Sequence, residues 1–289
     1  MEKLLHWSIA NSQGDKEAIA KAGQPDPKLL QQLFGGGMAD DPTLMKESMT
    51  IVLSPEVELD NKMIAMDNFE MLIENLDNAN NIENLKLWDP LLEVLSFEEA
   101  ELRATALSII GTAVQNNPTS QDNFLKHEGG LEKIIHLIND STQPIEVKIK
   151  ALYALSNLLR NHADMAKKFE EMKGLDIIAP ILTDKSSNTK LKMRTISLLT
   201  AFLSCQDITE QIISTLRADG AVCAAIHCLN TESDLNILDR VLHFLSQLIS
   251  SGLKFNESEI KDLTSGFKKI EPLEDRLNED DFLAVKYVL

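Results

Sequence analysis

Between Ile145 and Asn161 the apolar residues fall at Ile145, Ile149, Leu152, Leu155, Leu158 and Leu159. This three-four spacing lines one stripe of a helix about four turns long. Ala151 and Ala154 keep part of the stripe small, so a second helix can approach closely. Pro144 stands just before the start, where a missing N–H costs least. The stretch recurs along the chain. Ala151-Leu152 matches Ala106-Leu107 45 residues earlier and Thr195 44 residues later. Thr195 matches Val241 after a further 46, and Ala65 precedes Ala106 by 41. After the middle copies come an amphipathic segment, a glycine (Gly129-Gly130, Gly174, Gly220) and a short apolar helix reading LEKIIHLI, LDIIAPIL or AVCAAIHCL. The glycines mark breaks between short helices.

The predicted unit is a long helix, a short helix, a Gly turn and a second short helix. A period of about 40–47 residues is that of armadillo or HEAT units. The expected fold is therefore all-α, an armadillo-like α-solenoid of about four to five repeats with flanking capping helices. Residues 1–41 are expected to form a flexible arm, with LLQQLF followed by a hinge at Gly35-Gly36-Gly37. Residues 42–289 form the repeat domain. Its first long helix is expected over Leu59–Asn78, with a turn at Ala79-Asn80-Asn81. Trp88 leads a short helix and belongs to the core. ESEIKDL is expected to be helical, and EPLEDRLNEDDFLAVKYVL to cap the last apolar face.

Composition narrows the function. The 289 residues are 44% hydrophobic but only 5% aromatic, as suits helices packed through Leu, Ile, Ala and Met. The net charge of −17 argues against nucleic acid or an anionic membrane as partner, since both want a basic face. No run of about 18 apolar residues exists to span a bilayer. Three cysteines, Cys205, Cys223 and Cys228, make no disulfide framework and fit a reducing compartment. Cys223, His227 and Cys228 share one short helix. Without a further ligand in reach of the sequence they read as buried structural thiols, so no metal and no cofactor is expected. No nucleophile–base pair or phosphate loop stands at a meaningful spacing, so no catalytic residue is expected.

ALYALSNLLRN (Ala151–Asn161) resembles the third-helix signature of armadillo repeats. The resemblance makes Asn157 a ladder residue, with Tyr153 one turn earlier on the same face. More specific blocks lie at both ends: WSIAN, DPKLLQQLFGGG, DNFEMLIENLDNANNIENL and PLEDRLNEDDFLAVKYVL. They are similar to the fungal Fes-type nucleotide exchange factors of heat-shock protein 70, whose animal relative is the heat-shock-protein-70-binding protein. The similarity covers almost the whole chain. It implies a cytoplasmic, monomeric co-chaperone without covalent chemistry. Its concave face would grip one lobe of the ATPase domain of cytosolic heat-shock protein 70, open the cleft and speed ADP release. The arm, through Leu4-Leu5 or Leu29-Leu30, would assist client release. The alternative is a generic armadillo adaptor for an extended peptide.

The candidate partner face follows from the repeat register. Lys150, Tyr153, Asn157 and Arg160 share one face of the third long helix. Arg194, Ser197, Ala201 and Ser204 take the matching face of the fourth, and Thr105, Ser108, Thr112 and Gln115 that of the second. These faces are more polar than a core allows and are expected to be exposed. Lys190, Lys192 and Arg194 make a basic cluster in an acidic chain; the plainer reading of the lysines is a helix end with its charges in water. Arg194 is the stronger candidate, since a guanidinium binds carboxylates through two parallel bonds. Ala79 and Asn80 are expected at the edge of the groove.

Overall fold

A computed structural model describes residues 40–205 and 208–289. The predicted arm, with Leu4, Leu5, Leu29, Leu30 and the Gly35-Gly36-Gly37 hinge, lies outside the described residues. The chain divides into two units, Met1–Leu44 and Met45–Leu289. The repeats belong to the second.

Helices α1 (Asp41–Leu53) and α2 (Leu59–Ile73) come first. Four three-helix repeats follow. The first is α3 (Leu76–Asn84), α4 (Trp88–Val94) and α5 (Ala100–Ala113); the second is α6 (Pro118–Leu125), α7 (Gly130–Asn139) and α8 (Ile145–Leu159). The third is α9 (Ala163–Glu171), α10 (Ile178–Thr183) and α11 (Thr189–Leu203), with a 3-10 turn at Gly174–Ile177 before α10. The fourth is α12 (Glu210–Ala218), α13 (Ala221–His227) and α14 (Leu235–Ser250). Helices α15 (Glu257–Ile270) and α16 (Glu279–Lys286) close the stack.

The long helices pack in chain order: α2 on α5, α5 on α8, α8 on α11 and α11 on α14, with α16 taking the next place on α14. Fully buried alanines at Ala106, Ala151, Ala154 and Ala201 permit the close approach. The repeat register also holds in the short helices, where Phe124, Phe169 and Ile213 are all buried at the same place. The expected α-solenoid and its C-terminal cap are thus present.

The breaks differ in one detail. Gly129 and Gly220 adopt φ of 77° and 73°, the left-handed region that glycine enters without penalty. At the third break that position falls to Lys173, φ 55°, and Gly174 comes one residue later. The ring of Phe169 occupies the space that a Cβ on Gly174 would need. Steric exclusion, not backbone freedom, therefore accounts for that glycine.

The expected helix Leu59–Asn78 is in fact two. Helix α2 stops at Ile73, and the Asn75 side chain caps α3 by accepting from the amides of Asp77 (2.9 Å) and Asn78 (3.4 Å). Ala79, Asn80 and Asn81 consequently lie inside α3, not in a turn. The run of Asn and Asp had read as a turn because both residues favour caps and turns alike.

Polar pairs fasten neighbouring repeats. His127 stands between Asp89 (Nδ1–Oδ1 2.7 Å) and Glu83 (Nε2–Oε2 3.0 Å). Burial pushes its pKa down, but the two carboxylates outweigh burial and hold it above the ordinary value. His162 caps α9 by accepting from the Met165 amide at Nδ1, which leaves the ring proton on Nε2, 3.0 Å from Asp122. At the C-terminal end Arg217 of α12 binds Glu259 of α15 through two bonds of 2.7 Å.

Candidate functional site

The stacked long helices present one polar face, and the side chains on it bond from repeat to repeat. Ser108 of α5 donates to Glu70 of α2, and Lys150 of α8 donates to Ser108 at 3.0 Å. Tyr153 stands one turn further along α8. Its hydroxyl lies 3.4 Å from Thr112 and donates to Gln115 at 3.3 Å. The guanidinium of Arg194, on α11, sits over the Tyr153 ring, 4.9 Å from its centroid. Arg240 of α14 donates to Ser197 of α11 at 2.7 Å. One row of contacts therefore runs from α2 to α14, with the Tyr153–Arg194 stack at its middle.

A missing side chain seats Tyr153. An ideal Cβ on Gly111 of α5 would lie 2.6 Å from two atoms of the Tyr153 ring and 3.2 Å from Cα of Ala154. In an ordinary helix interior Gly→Ala gains about 1 kcal/mol. Here the gain is outweighed, because the ring must move off α5. Gly111→Ala is expected to lose about 1–3 kcal/mol of stability, the usual cost of overpacking. Urea denaturation checks this, and most of the loss should vanish in a Tyr153→Ala background. A Gly111→Ala protein at least as stable as wild type would contradict the seating.

Beside the Tyr153 hydroxyl lies a cleft of about 480 Å³, bounded by α2, α3 and α5. Ala79 and Thr112 both line it, together with Ile73, Leu76 and Gln115. The structure thus brings two of the sequence-predicted residues to one place. Ala79 is buried, and its carbonyl accepts from Ser120. Asn80 also faces Ser120, 3.4 Å away.

Not every predicted residue is as open as expected. Ser108, Asn157, Ser197 and Ala201 are buried, because neighbouring long helices close over these positions. The Asn157 carbonyl accepts from Gln121 at 2.8 Å, while its Nδ2 is buried without a partner among the described residues. Arg160 lies past the end of α8, with ψ 119°, so its side chain leaves the helical row. Its carbonyl accepts from Gln121 at 3.0 Å. Lys192 and Arg194 are half-buried, and exposed Lys190 faces Glu146 at 4.0 Å. None of the ion pairs among the described residues takes Lys150, Arg194 or Arg240, whereas Lys192 lies off the row, where its charge acts on Asp184 and Cys228. The row therefore carries uncompensated positive charge in a chain of net charge −17.

Sequence reasoning missed three kinds of contributor. Arg240 reaches the row from α14, although its own repeat gave no basic cluster. Glu70 anchors the N-terminal end. Ile64, Met71 and Leu76 are apolar but 58%, 70% and 60% exposed, and Leu76 lines the cleft beside Thr112. Their signal was present, since Ile64 and Met71 lie two turns apart on a face of α2 that does not join the core.

This geometry, long third helices stacked with one polar row along them, defines an armadillo-type repeat protein. A designed armadillo repeat protein of known structure superposes with a TM-score of 0.67 at 15% identity, over 86% of this chain and 98% of that one. An engineered protein of known structure gives 0.68 at 16% identity, over 87% and 98%. The family model "Nucleotide exchange factor Fes1" matches residues 1–82, and "SIL1/FES1/HPBP1 C-terminal domain" matches residues 78–220. The Hsp70 nucleotide exchange factor FES1 of Saccharomyces cerevisiae is 67% identical over the full length of both chains. That of Candida glabrata is 63% identical over 100% of this chain and 99% of the relative. The chain belongs to the Fes1 family. Among the described residues no helix is long and apolar enough to cross a membrane.

Proposed function

We propose that this chain is a nucleotide exchange factor for cytosolic Hsp70, and that the row from Glu70 to Arg240 meets the chaperone's ATPase domain. The observation that carries the activity is full-length similarity, at 67% and 63% identity, to relatives named for that activity. The surface is supported by its unpaired cations, its central Arg–Tyr stack and the exposed Leu76 of the adjoining cleft. Such a mixture suits a protein partner bearing carboxylates.

The work needs no covalent step and no catalytic residue. A factor that binds the open ATPase conformation better than the closed, ADP-holding one lowers ADP affinity. By linkage, ADP lowers affinity for the factor by the same ratio. A 100-fold shift requires roughly 3 kcal/mol of coupling, which a protein interface supplies. The peptide-adaptor alternative wants several copies of a Trp/Asn ladder, which only Tyr153 and Asn157 approximate. Here the equivalent positions read Thr112, Asn157, Ala201 and Gln247, and Asn157 is buried.

The test is stopped-flow release of a fluorescent ADP analogue from cytosolic Hsp70. Release should accelerate with increasing concentration of this chain. Binding without acceleration would reduce the chain to a docking adaptor. The arm is tested separately: a chain beginning at Pro42 should accelerate ADP release as the full chain does but leave an apolar client bound longer. Equal client release by both forms would remove the arm from the mechanism.

A further inference from the structure

The two ends of α13 are unlike each other. Cys228 is buried, with its thiol turned to the carbonyl of Ala224 (3.4 Å). Cys223 is exposed, against the expectation that all three thiols are structural and buried. One turn on, exposed His227 brings Nδ1 to 3.6 Å from the Cys223 sulfur. On its other side Nε2 stands 3.6 Å from a carboxylate oxygen of Asp262. Asp262 belongs to α15 and is distant in sequence; the cap helix brings it there. The approach of α15 is close. An ideal Cβ on Gly266, one turn along from Asp262, would lie 2.8 Å from the Leu229 carbonyl oxygen.

We infer that Cys223, His227 and Asp262 form a surface site for a borderline-soft divalent cation, Zn²⁺ by choice of donors, bridging the last repeat and the cap. One donor atom from each residue lies within 4.8 Å of the other two. Donors around a tetrahedral zinc stand about 3.2–3.8 Å apart, given bond lengths of about 2.0–2.3 Å. Exposed Cys223 and His227 cover that difference by rotation, so that a single imidazole nitrogen faces both the thiol and half-buried Asp262. The four-residue spacing of Cys223 and His227 places both on one helical face, as in the two-histidine helical zinc motif. Thiolate, imidazole and carboxylate together favour Zn²⁺ over Ca²⁺ or Mg²⁺, which take oxygen donors.

The surroundings leave the three groups available. Glu259, the nearest competing carboxylate on α15, is taken by Arg217 and by the Asn256 amide at 2.9 Å. Beside the site a cleft of about 230 Å³, lined by Cys223, Asp262 and Ser258, leaves room for water in the fourth position. On binding, the Cys223 thiol gives its proton to solvent and the sulfur donates its electron pair to the metal. Burial, and after it the neighbouring Asp262 and Glu259 charges, hold the free thiol's pKa above its ordinary value, so the empty site is a thiol, slow to oxidise. Occupancy would tie α15 to α13 and stiffen the C-terminal end of the stack.

Co²⁺ titration of the full chain tests this. A thiolate-to-cobalt charge-transfer band should appear, and Zn²⁺ should bleach it. The band should vanish in Cys223→Ser and persist in Cys228→Ser and Cys205→Ser. Affinity should fall at least tenfold in His227→Ala and in Asp262→Asn. In parallel, Zn²⁺ should slow labelling of the exposed thiol by iodoacetamide and raise Tm in wild type but not in Asp262→Asn. Absence of the band, or its survival in Cys223→Ser, overturns the site. So does an Asp262→Asn chain that binds as tightly as wild type, since the two residues of α13 would then need no cap.

Discussion

Replacing Arg194 by Ala is expected to weaken binding to the Hsp70 ATPase domain by about 30-fold or more, roughly 2 kcal/mol, the size of an interface hot spot. Three observations converge on this residue. Its guanidinium has no carboxylate among the described residues, so its charge is left for a partner. It sits over Tyr153, 4.9 Å from the ring centroid, which fixes its direction at little entropic cost. It stands at the middle of the row, where loss of a contact also admits water. The fold should tolerate the change, because Arg194 is half-buried and its one described interaction is the stack. The urea midpoint is expected to move by no more than about 0.5–1 kcal/mol, the worth of a partly exposed cation–π contact. Lys190→Ala is the control: Lys190 is exposed and already faces Glu146, so binding should change by less than about threefold. The measurement is isothermal titration with the isolated ATPase domain, repeated for Tyr153→Ala and the double variant. A double-mutant cycle should show strong coupling, because Tyr153 holds Arg194 in place. If Arg194→Ala binds as wild type does, the row is not the partner face. Exchange activity would then rest on another surface, while the family assignment would stand.

The fold was legible in the sequence to the extent that it repeats. One strong copy at Ile145–Asn161 set the register, and the weaker copies could then be placed by period, down to the buried Phe124, Phe169 and Ile213. What escaped were events that do not repeat. The stop at Ile73 depends on one Asn cap, and the same residue types also make turns. The candidate surface was half legible. Helical spacing put Lys150, Tyr153 and Arg194 on corresponding faces, and the structure joins them in one row. Spacing could not say how far the next helix closes over that face. Ser197 is equivalent to Tyr153 in the repeat and Asn157 stands one turn beyond it, but both are covered by neighbouring long helices. Contacts between distant segments were wholly hidden: Ser108 with Glu70, Arg240 with Ser197, Asp262 with His227. Each joins two segments through a packing geometry that no local pattern encodes.

Trp88→Ala is expected to cost about 3–5 kcal/mol, the range for deleting a fully buried aromatic side chain. Trp88 opens α4 with no exposed surface and meets Phe124 edge to face, with ring centroids 5.4 Å apart. Its other neighbour is His127, the residue held between Glu83 and Asp89. One side chain therefore supports both the apolar and the polar joints between the first two repeats. Its indole N–H has no partner among the described residues, which itself costs about 1–3 kcal/mol. Trp88→Phe should consequently lose less than area alone suggests, because it removes the unpaired donor along with the lost volume. In a solenoid each repeat contacts its neighbours, so stability is close to a sum of local terms. The Ala variant should then unfold in two steps. Hydrogen exchange should show α3 to α6 opening first, while α11 to α16 keep their protection. The cleft that holds Ala79 and Thr112 sits on those early-opening helices, so ATPase-domain binding should fail before the far repeats melt. A single transition with uniform loss of protection would mean instead that the stack folds as one cooperative unit, with Trp88 stabilising all of it.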